Sequence, residues 1–251
     1  LTPVIPDPLA FQSPYRWFLL AGLGLGALGW RRMAQRGLAL IYLTGLLGAF
    51  LGAKFAFLFA EGWQYWRLPV PWLALLTGKS VLGALPGGYA GVEFAKWRLG
   101  YHERTGDWFA AFAPAGILLG RVGCLFQGCC LGVRCARPAW WTLNDVHGIP
   151  RWPAVPVEML FNACAIALFW VMRRKRWLPG QHFHLYLMGY AAFRFFHEFL
   201  RDTPRFLEPD QALSGYQILA IGVFAFGAWA FYQRATSEIS LPAEPSPPVH
   251  S

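Results

Sequence analysis

The 251-residue chain is 56% hydrophobic and only 14% charged, with 13 Trp, 21 Phe and 27 Gly. Soluble domains carry roughly a quarter charged residues, so this composition excludes an ordinary soluble globular protein and points to a chain that crosses a membrane several times. The net charge of +9 does not mark a nucleic-acid binder, because the basic residues form short clusters between apolar runs and no continuous face; cytoplasmic loops and anionic lipid suit such clusters.

A membrane-crossing helix needs about 20 apolar residues, fewer where neighbours shield its ends. Seven runs qualify in chain order: Trp17–Trp30, Leu38–Phe59, the short Gly-rich Val81–Ala95, Trp108 to about Leu119, Val155–Met172, Phe183–Leu200 and Leu213–Tyr232. The third and fourth are too weak to stand alone and fit only inside a bundle. The predicted fold class is therefore an all-α membrane protein of about seven transmembrane helices. The first run ends in Trp30-Arg31-Arg32 with no small-residue cleavage pattern, so no cleaved signal peptide is expected.

Basic groups follow every second run: Arg31, Arg32 and Arg36; Lys96, Arg98 and Arg104; Arg173, Arg174, Lys175 and Arg176; and Arg234. Positive loops stay on the cytoplasmic side, which sets the N-terminus outside and the C-terminus inside. Residues 1–232 then form one membrane domain, with an outer-face segment near 120–154. The stretch 233–251, Pro- and Ser-rich at its end, reads as a disordered cytoplasmic tail.

Lys54, Arg121 and Arg194 fall inside or at the ends of apolar runs. A cation in lipid is costly, so it faces a polar cavity or a partner unless it snorkels to the head groups. Lys54 lies within a turn or two of the outer end of its run, where snorkelling serves equally. Arg194, His197, Glu198 and Arg201 are spaced i, i+3, i+4 and i+7 in a Phe-rich run, so a helix gathers them on one face. That stripe reads either as a buried Arg194–Glu198 pair fastening helices or as an anion site, since guanidinium binds phosphate bidentately. Arg121 is a second arm on the same basis.

Gly78-Lys79-Ser80 ends like a phosphate-binding P-loop, but Leu73 stands where its first Gly belongs, so a nucleotide site is rejected. Gly48-x3-Gly52 and Gly87-x3-Gly91 read as faces where helices approach closely. Cys124, Cys129, Cys130 and Cys135 lie within twelve residues, spaced C-x4-C-C-x4-C, with Cys164 apart. That is not a standard zinc pattern, and no metal is expected. On an oxidising outer face the leading reading is one or two disulfides. Free thiols that contact substrate or do redox chemistry are the other.

GRVGCLFQG at 120–128 resembles the signature of the bacterial prolipoprotein diacylglyceryl transferases, which reads G-R-x-G-N-F-x-N-G. Other segments agree in order: LGAFLGAKFAFLF around Lys54, the Gly-rich GKSVLGALPGG with Ser80, Arg151-x-Pro153 with Glu158, and GYAAFRFFHEFLR. The resemblance spans roughly Gly37 to Phe226 and agrees with seven spans and an outside N-terminus. It implies transfer of a diacylglyceryl group from phosphatidylglycerol to a prolipoprotein cysteine, with loss of glycerol phosphate, in the bacterial inner membrane and toward its outer face. It implies two partners, phosphatidylglycerol and a thiol-bearing acceptor, and no cofactor. Carried over residue by residue, Arg121 and Arg194 are phosphate ligands, and Glu158 and Glu198 orient them. Lys54, Ser80, Gly123, Cys124 and Gly132 line the substrate.

The departures are specific. The family's S-x-H-G His, proposed to deprotonate the acceptor thiol, is Leu82 here. The signature Asn is Cys124, a loop Glu is Cys129, the His of R-H-P is Trp152, and the following Gln is Val155. His197 is the substitute base expected on this reading, with a core histidine paired to Glu198 as the plainer role. Two alternatives stand beside the transferase: a lipid-binding or assembly protein that has lost the chemistry, and an outer-face thiol enzyme built on Cys124, Cys129 and Cys130.

Overall fold

The computed structural model describes residues 38–65, 78–102, 105–205 and 213–239. The first expected span, 17–30, lies outside these residues. The described chain is mostly helical. Helix α1 covers Leu38–Phe57 and continues through a π-helical turn, Leu58–Gly62, into a short turn at Trp63–Tyr65. Helix α2 is Val81–Leu99, α3 Gly106–Gln127, α4 Ala154–Arg174, α5 His182–His197 and α6 Gly215–Ile239. A two-residue antiparallel ladder pairs β1, Leu143–Asn144, with β2, Pro150–Arg151. Among the described residues four helical stretches are long and apolar enough to cross a membrane: Ala39–Tyr65, Gly106–Gln127, Ala154–Arg174 and Gly215–Thr236. Their outward faces carry exposed Leu, Phe and Trp, as at Leu47, Phe55, Leu160 and Trp229. This is the architecture of a multi-span membrane protein.

Three boundaries differ from expectation. Helix α3 does not stop near Leu119. It runs two turns further and places Gly120–Gln127 on helix, because Gly128 at φ 62 supplies the left-handed residue that ends it. The run at 183–200 is helical only to His197. A 3-10 turn at Glu198–Leu200 then leads into extended backbone at Arg201. Helix α6 continues past Tyr232 to Ile239, so the expected tail begins with helix, and 240–251 lie outside the described residues.

The glycine faces do what close approach requires. A Cβ on Gly48 would collide with the Gly87 carbonyl, and one on Gly52 with the Gly83 carbonyl, so α1 and α2 pack backbone to backbone. The core between α2, α5 and α6 is aromatic, centred on Tyr186, Leu187 and Tyr190. Polar pins hold the helix ends. Asp107 on α3 accepts the Gly180 amide at 2.7 Å and the His182 amide at 3.3 Å, fastening the start of α3 to the start of α5. Ser214 and Gln217 exchange reciprocal backbone bonds at 3.2 and 2.8 Å, a capping box that starts α6.

The segment after α3 is wedged between two others. The Val133 amide donates to the Leu200 carbonyl at 3.0 Å, and the Val133 carbonyl accepts the Trp152 amide at 2.9 Å. Gly132 sits where a Cβ would strike the Trp152 carbonyl, which is the physical reason for glycine there.

Candidate functional site

Four elements bring five charged side chains to one buried point. Arg121 comes from the last turns of α3, Glu158 from the first turns of α4, Arg194 from α5, and Glu198 and Arg201 from the turn that ends α5. Glu158 is wholly buried and sits at the centre. Its Oε1 accepts from Arg121 Nη2 at 2.8 Å and from the Tyr190 hydroxyl at 2.8 Å. Its Oε2 has Arg201 Nη1 at 3.9 Å and Arg194 Nη1 at 4.0 Å, close enough for attraction and too far for hydrogen bonds. Glu198 Oε2 takes Arg194 Nη2 at 2.7 Å, and Thr203 donates to Glu198 Oε1 at 2.7 Å.

The expected Arg194–Glu198 pair therefore exists, and Arg121, Glu158, Arg194 and Glu198 are gathered as the sequence suggests. The pairing leaves donors over. Among the described residues, buried Arg121 Nε, Arg194 Nη1, and Arg201 Nε and Nη1 have no hydrogen-bond partner, and neither do the carboxylate oxygens Glu158 Oε2 and Glu198 Oε2. An unpaired buried N–H is costly. An oxyanion among the three guanidinium groups would satisfy several at once.

Other candidates are placed differently. His197 is not paired with Glu198. Its Nε2 faces the Trp152 indole N–H at 3.4 Å, its ring stacks on Phe193 at 4.9 Å, and its Nδ1 is buried without a partner. An Nε2 that accepts from the indole is not free to take a proton from a substrate. Leu82 is buried in the apolar core. Ser80 is the N-cap residue of α2, and its amide donates to the Ala53 carbonyl at 3.1 Å, beside Lys54 on α1. Gly123 and Cys124 are buried on α3, and Arg121 Nη1 lies 3.9 Å from the Cys124 sulfur.

No sulfur–sulfur bond joins the five cysteines in this structure. The sulfurs of Cys124, Cys129 and Cys130 lie within 4.8 Å of one another. Cys135 stands outside that group, its amide donating to the Pro150 carbonyl at 2.8 Å. Cys130 lies in the loop beyond α3, and its thiol is held well below the usual range. Hydrogen bonds with the Cys124 and Cys129 thiols are the main cause, and Arg121 and Arg201 add to it.

Two contributors, Tyr190 and Thr203, were not singled out from sequence. Arg201 was legible as the fourth member of the i, i+3, i+4, i+7 stripe. Tyr190 and Thr203 carry no pattern that marks them. Arg151 is no anion ligand here. It is a clamp on Asp145 at 3.0 Å, Asp202 at 2.6 Å and the Gly132 carbonyl at 3.3 Å, holding the segment after α3 in place.

An apolar cavity of about 550 Å³ opens between α1, α2 and α3. Tyr42, Ala49, Leu85, Phe109 and Phe112 line it, and it reaches Gly120, the residue before Arg121. Buried arginines and carboxylates inside a bundle with lipid-type outer faces mark a membrane protein with a polar site in its interior. The comparisons make the class specific. The sequence model of the prolipoprotein diacylglyceryl transferases matches residues 13–233, and the chain belongs to that family. It is 31% identical over 274 residues to the phosphatidylglycerol–prolipoprotein diacylglyceryl transferase of Cupriavidus necator, covering 94% of this chain and 97% of the relative. It is 28% identical over 267 residues to that of Dehalococcoides mccartyi, covering 93% and 98%. To that of Pseudoalteromonas atlantica it is 28% identical over 248 residues, covering 90% and 84%.

Proposed function

We propose that this protein transfers a diacylglyceryl group from phosphatidylglycerol to the cysteine thiol of a prolipoprotein, at the outer face of the bacterial inner membrane. On this reading seven helices cross the membrane, with the N-terminus outside. The observation that carries the reading is the set of unpaired buried donors on Arg121, Arg194 and Arg201, in a bundle that also holds an apolar cavity. The head group sits among the guanidinium groups and the acyl chains enter the cavity. The acceptor sulfur attacks the glyceryl carbon, the carbon–oxygen bond to phosphate breaks, and glycerol phosphate leaves. That phosphate goes from one negative charge to two as the bond breaks. Fixed cations in a dry site stabilise the added charge more than the ground state, which is what accelerates the step. Glu158 and Glu198 act as positioning residues that hold the arginines.

Neither expected base is available for the thiol proton. Leu82 replaces the family's His, and His197 is engaged with Trp152. The thiol proton passes to solvent, because the leaving phosphomonoester, with a second pKa of about 6, stays mostly dianionic at neutral pH. Incubation of purified protein with phosphatidylglycerol and a lipobox peptide tests the proposal: glycerol phosphate and lipidated peptide should appear in equal amounts, and Arg194→Ala should abolish both. Undiminished transfer by Arg194→Ala would refute the mechanism. Buried Leu82 favours a second reading, a lipid-binding relative without turnover. Bound phosphatidylglycerol with no released glycerol phosphate would establish that one instead.

A further inference from the structure

The three clustered thiols have a geometry the transferase reading does not use. Cys124 lies on the last turn of α3. Gly128 at φ 62 ends the helix, and the Cys129 amide turns back to the Cys124 carbonyl at 3.2 Å. Cys130 then takes φ 61, a left-handed backbone that a residue with a Cβ rarely adopts. Such a conformation persists only where its surroundings impose it, and it is commonest at functional sites. Its effect here is to bring two sulfurs from beyond the helix end back against a third on the helix.

We propose that Cys124, Cys129 and Cys130 form a three-thiolate site for one thiophilic metal ion, of the class of Zn(II) or Cu(I). Metal–thiolate bonds of about 2.3 Å place sulfurs roughly 4 Å apart in a trigonal or tetrahedral site. The three sulfurs already lie within 4.8 Å of one another, so binding asks for less than about 1 Å of contraction. A disulfide would use two of these thiols and strand the third, whereas a metal uses all three. The group contains neither carboxylate nor imidazole, so it selects soft ions against Mg(II), Ca(II) and Mn(II). The charge of three thiolates is offset nearby, since Arg121 Nη1 is 3.9 Å from the Cys124 sulfur. With three protein ligands, the fourth coordination position remains open to an outside donor.

The test reads metal directly and does not depend on transferase turnover. Fully reduced protein, with all five thiols reactive, is titrated with Co(II) and then Zn(II). One Co(II) per chain should bind, with sulfur-to-cobalt charge-transfer bands that Zn(II) abolishes. Cys129→Ser and Cys130→Ser should each weaken binding at least tenfold, while Cys135→Ser and Cys164→Ser leave it unchanged. On wild-type protein, Zn(II) should shield three cysteines from iodoacetamide, identified by peptide mass as 124, 129 and 130. The proposal is overturned by reduced protein that shows no charge-transfer band, by Cys130→Ser that binds as wild type does, or by alkylation that zinc does not slow.

Discussion

Replacement of Glu158 by Gln is the sharpest probe of the arginine cluster, because it removes one charge without removing volume. Glu158 is fully buried and touches Arg121 and Tyr190 at 2.8 Å, with Arg194 and Arg201 at 4.0 and 3.9 Å. Hydrogen bonds to a charged group are about twice as strong as neutral ones, so the two short bonds together lose about 2–3 kcal/mol. Leaving buried cations uncompensated raises the cost toward about 5 kcal/mol. At 2–4 °C per kcal/mol for a chain of this size, the melting temperature in detergent should fall by about 4–20 °C. The lost anion should be replaceable in part. Millimolar phosphate or glycerol phosphate should recover more of the melting temperature in Glu158→Gln than it adds to wild type, since both fill the same cation-lined space. Thermal unfolding of both proteins, with and without phosphate at constant ionic strength, decides it. A fall of less than about 2 °C, or equal phosphate effects on both proteins, would refute the view that Glu158 neutralises three guanidinium groups.

Arg194→Lys should lower transfer at least tenfold with little effect on folding, because an ammonium cannot hold Glu198 and present a second donor toward a phosphate as the planar fork does; steady-state assays with the lipobox peptide measure it. Gly132→Ala should destabilise by about 1–3 kcal/mol through overpacking against Trp152, seen as a lower melting temperature and faster proteolysis of the 131–151 segment. Asp145, in the loop outside the helices, is held below the usual carboxylate range by the Ile149 amide first, with Arg151 and the His147 amide adding to it. A depressed folded pKa contributes stability that is complete above the unfolded value near 3.9 and is lost as pH falls through the lower folded value. Amide exchange at Ile149 and His147 should therefore stay protected down to about pH 4, and Asp145→Asn should expose both at neutral pH.

Much of the architecture was legible in the sequence because it follows from local chemistry. Low charge and long apolar runs sufficed for a multi-span helical protein, and the spacings Gly48-x3-Gly52 and Gly87-x3-Gly91 pointed to faces of close helix approach, which the structure pairs between α1 and α2. The i, i+4 spacing of Arg194 and Glu198 foretold their pair, since the two sit one turn apart on one helix. The segments in family order around Arg121, Glu158 and Arg194 foretold the match at 13–233. What stayed hidden depends on chain reversals and long-range packing. The family resemblance put Glu158 beside Arg121 and Arg194, but nothing in the sequence shows that Tyr190 on α5 and Arg201 in the turn after it also meet Glu158. His197 looked available as a base until the fold set the Trp152 indole against it. The cysteine spacing suggested disulfides, yet two left-handed residues, Gly128 and Cys130, fold the chain back and gather three free sulfurs. Composition and periodicity determine which residues avoid water and which helix faces meet. Only the tertiary structure decides which buried charges neutralise one another, because that depends on distances of a few ångströms between residues far apart in the chain.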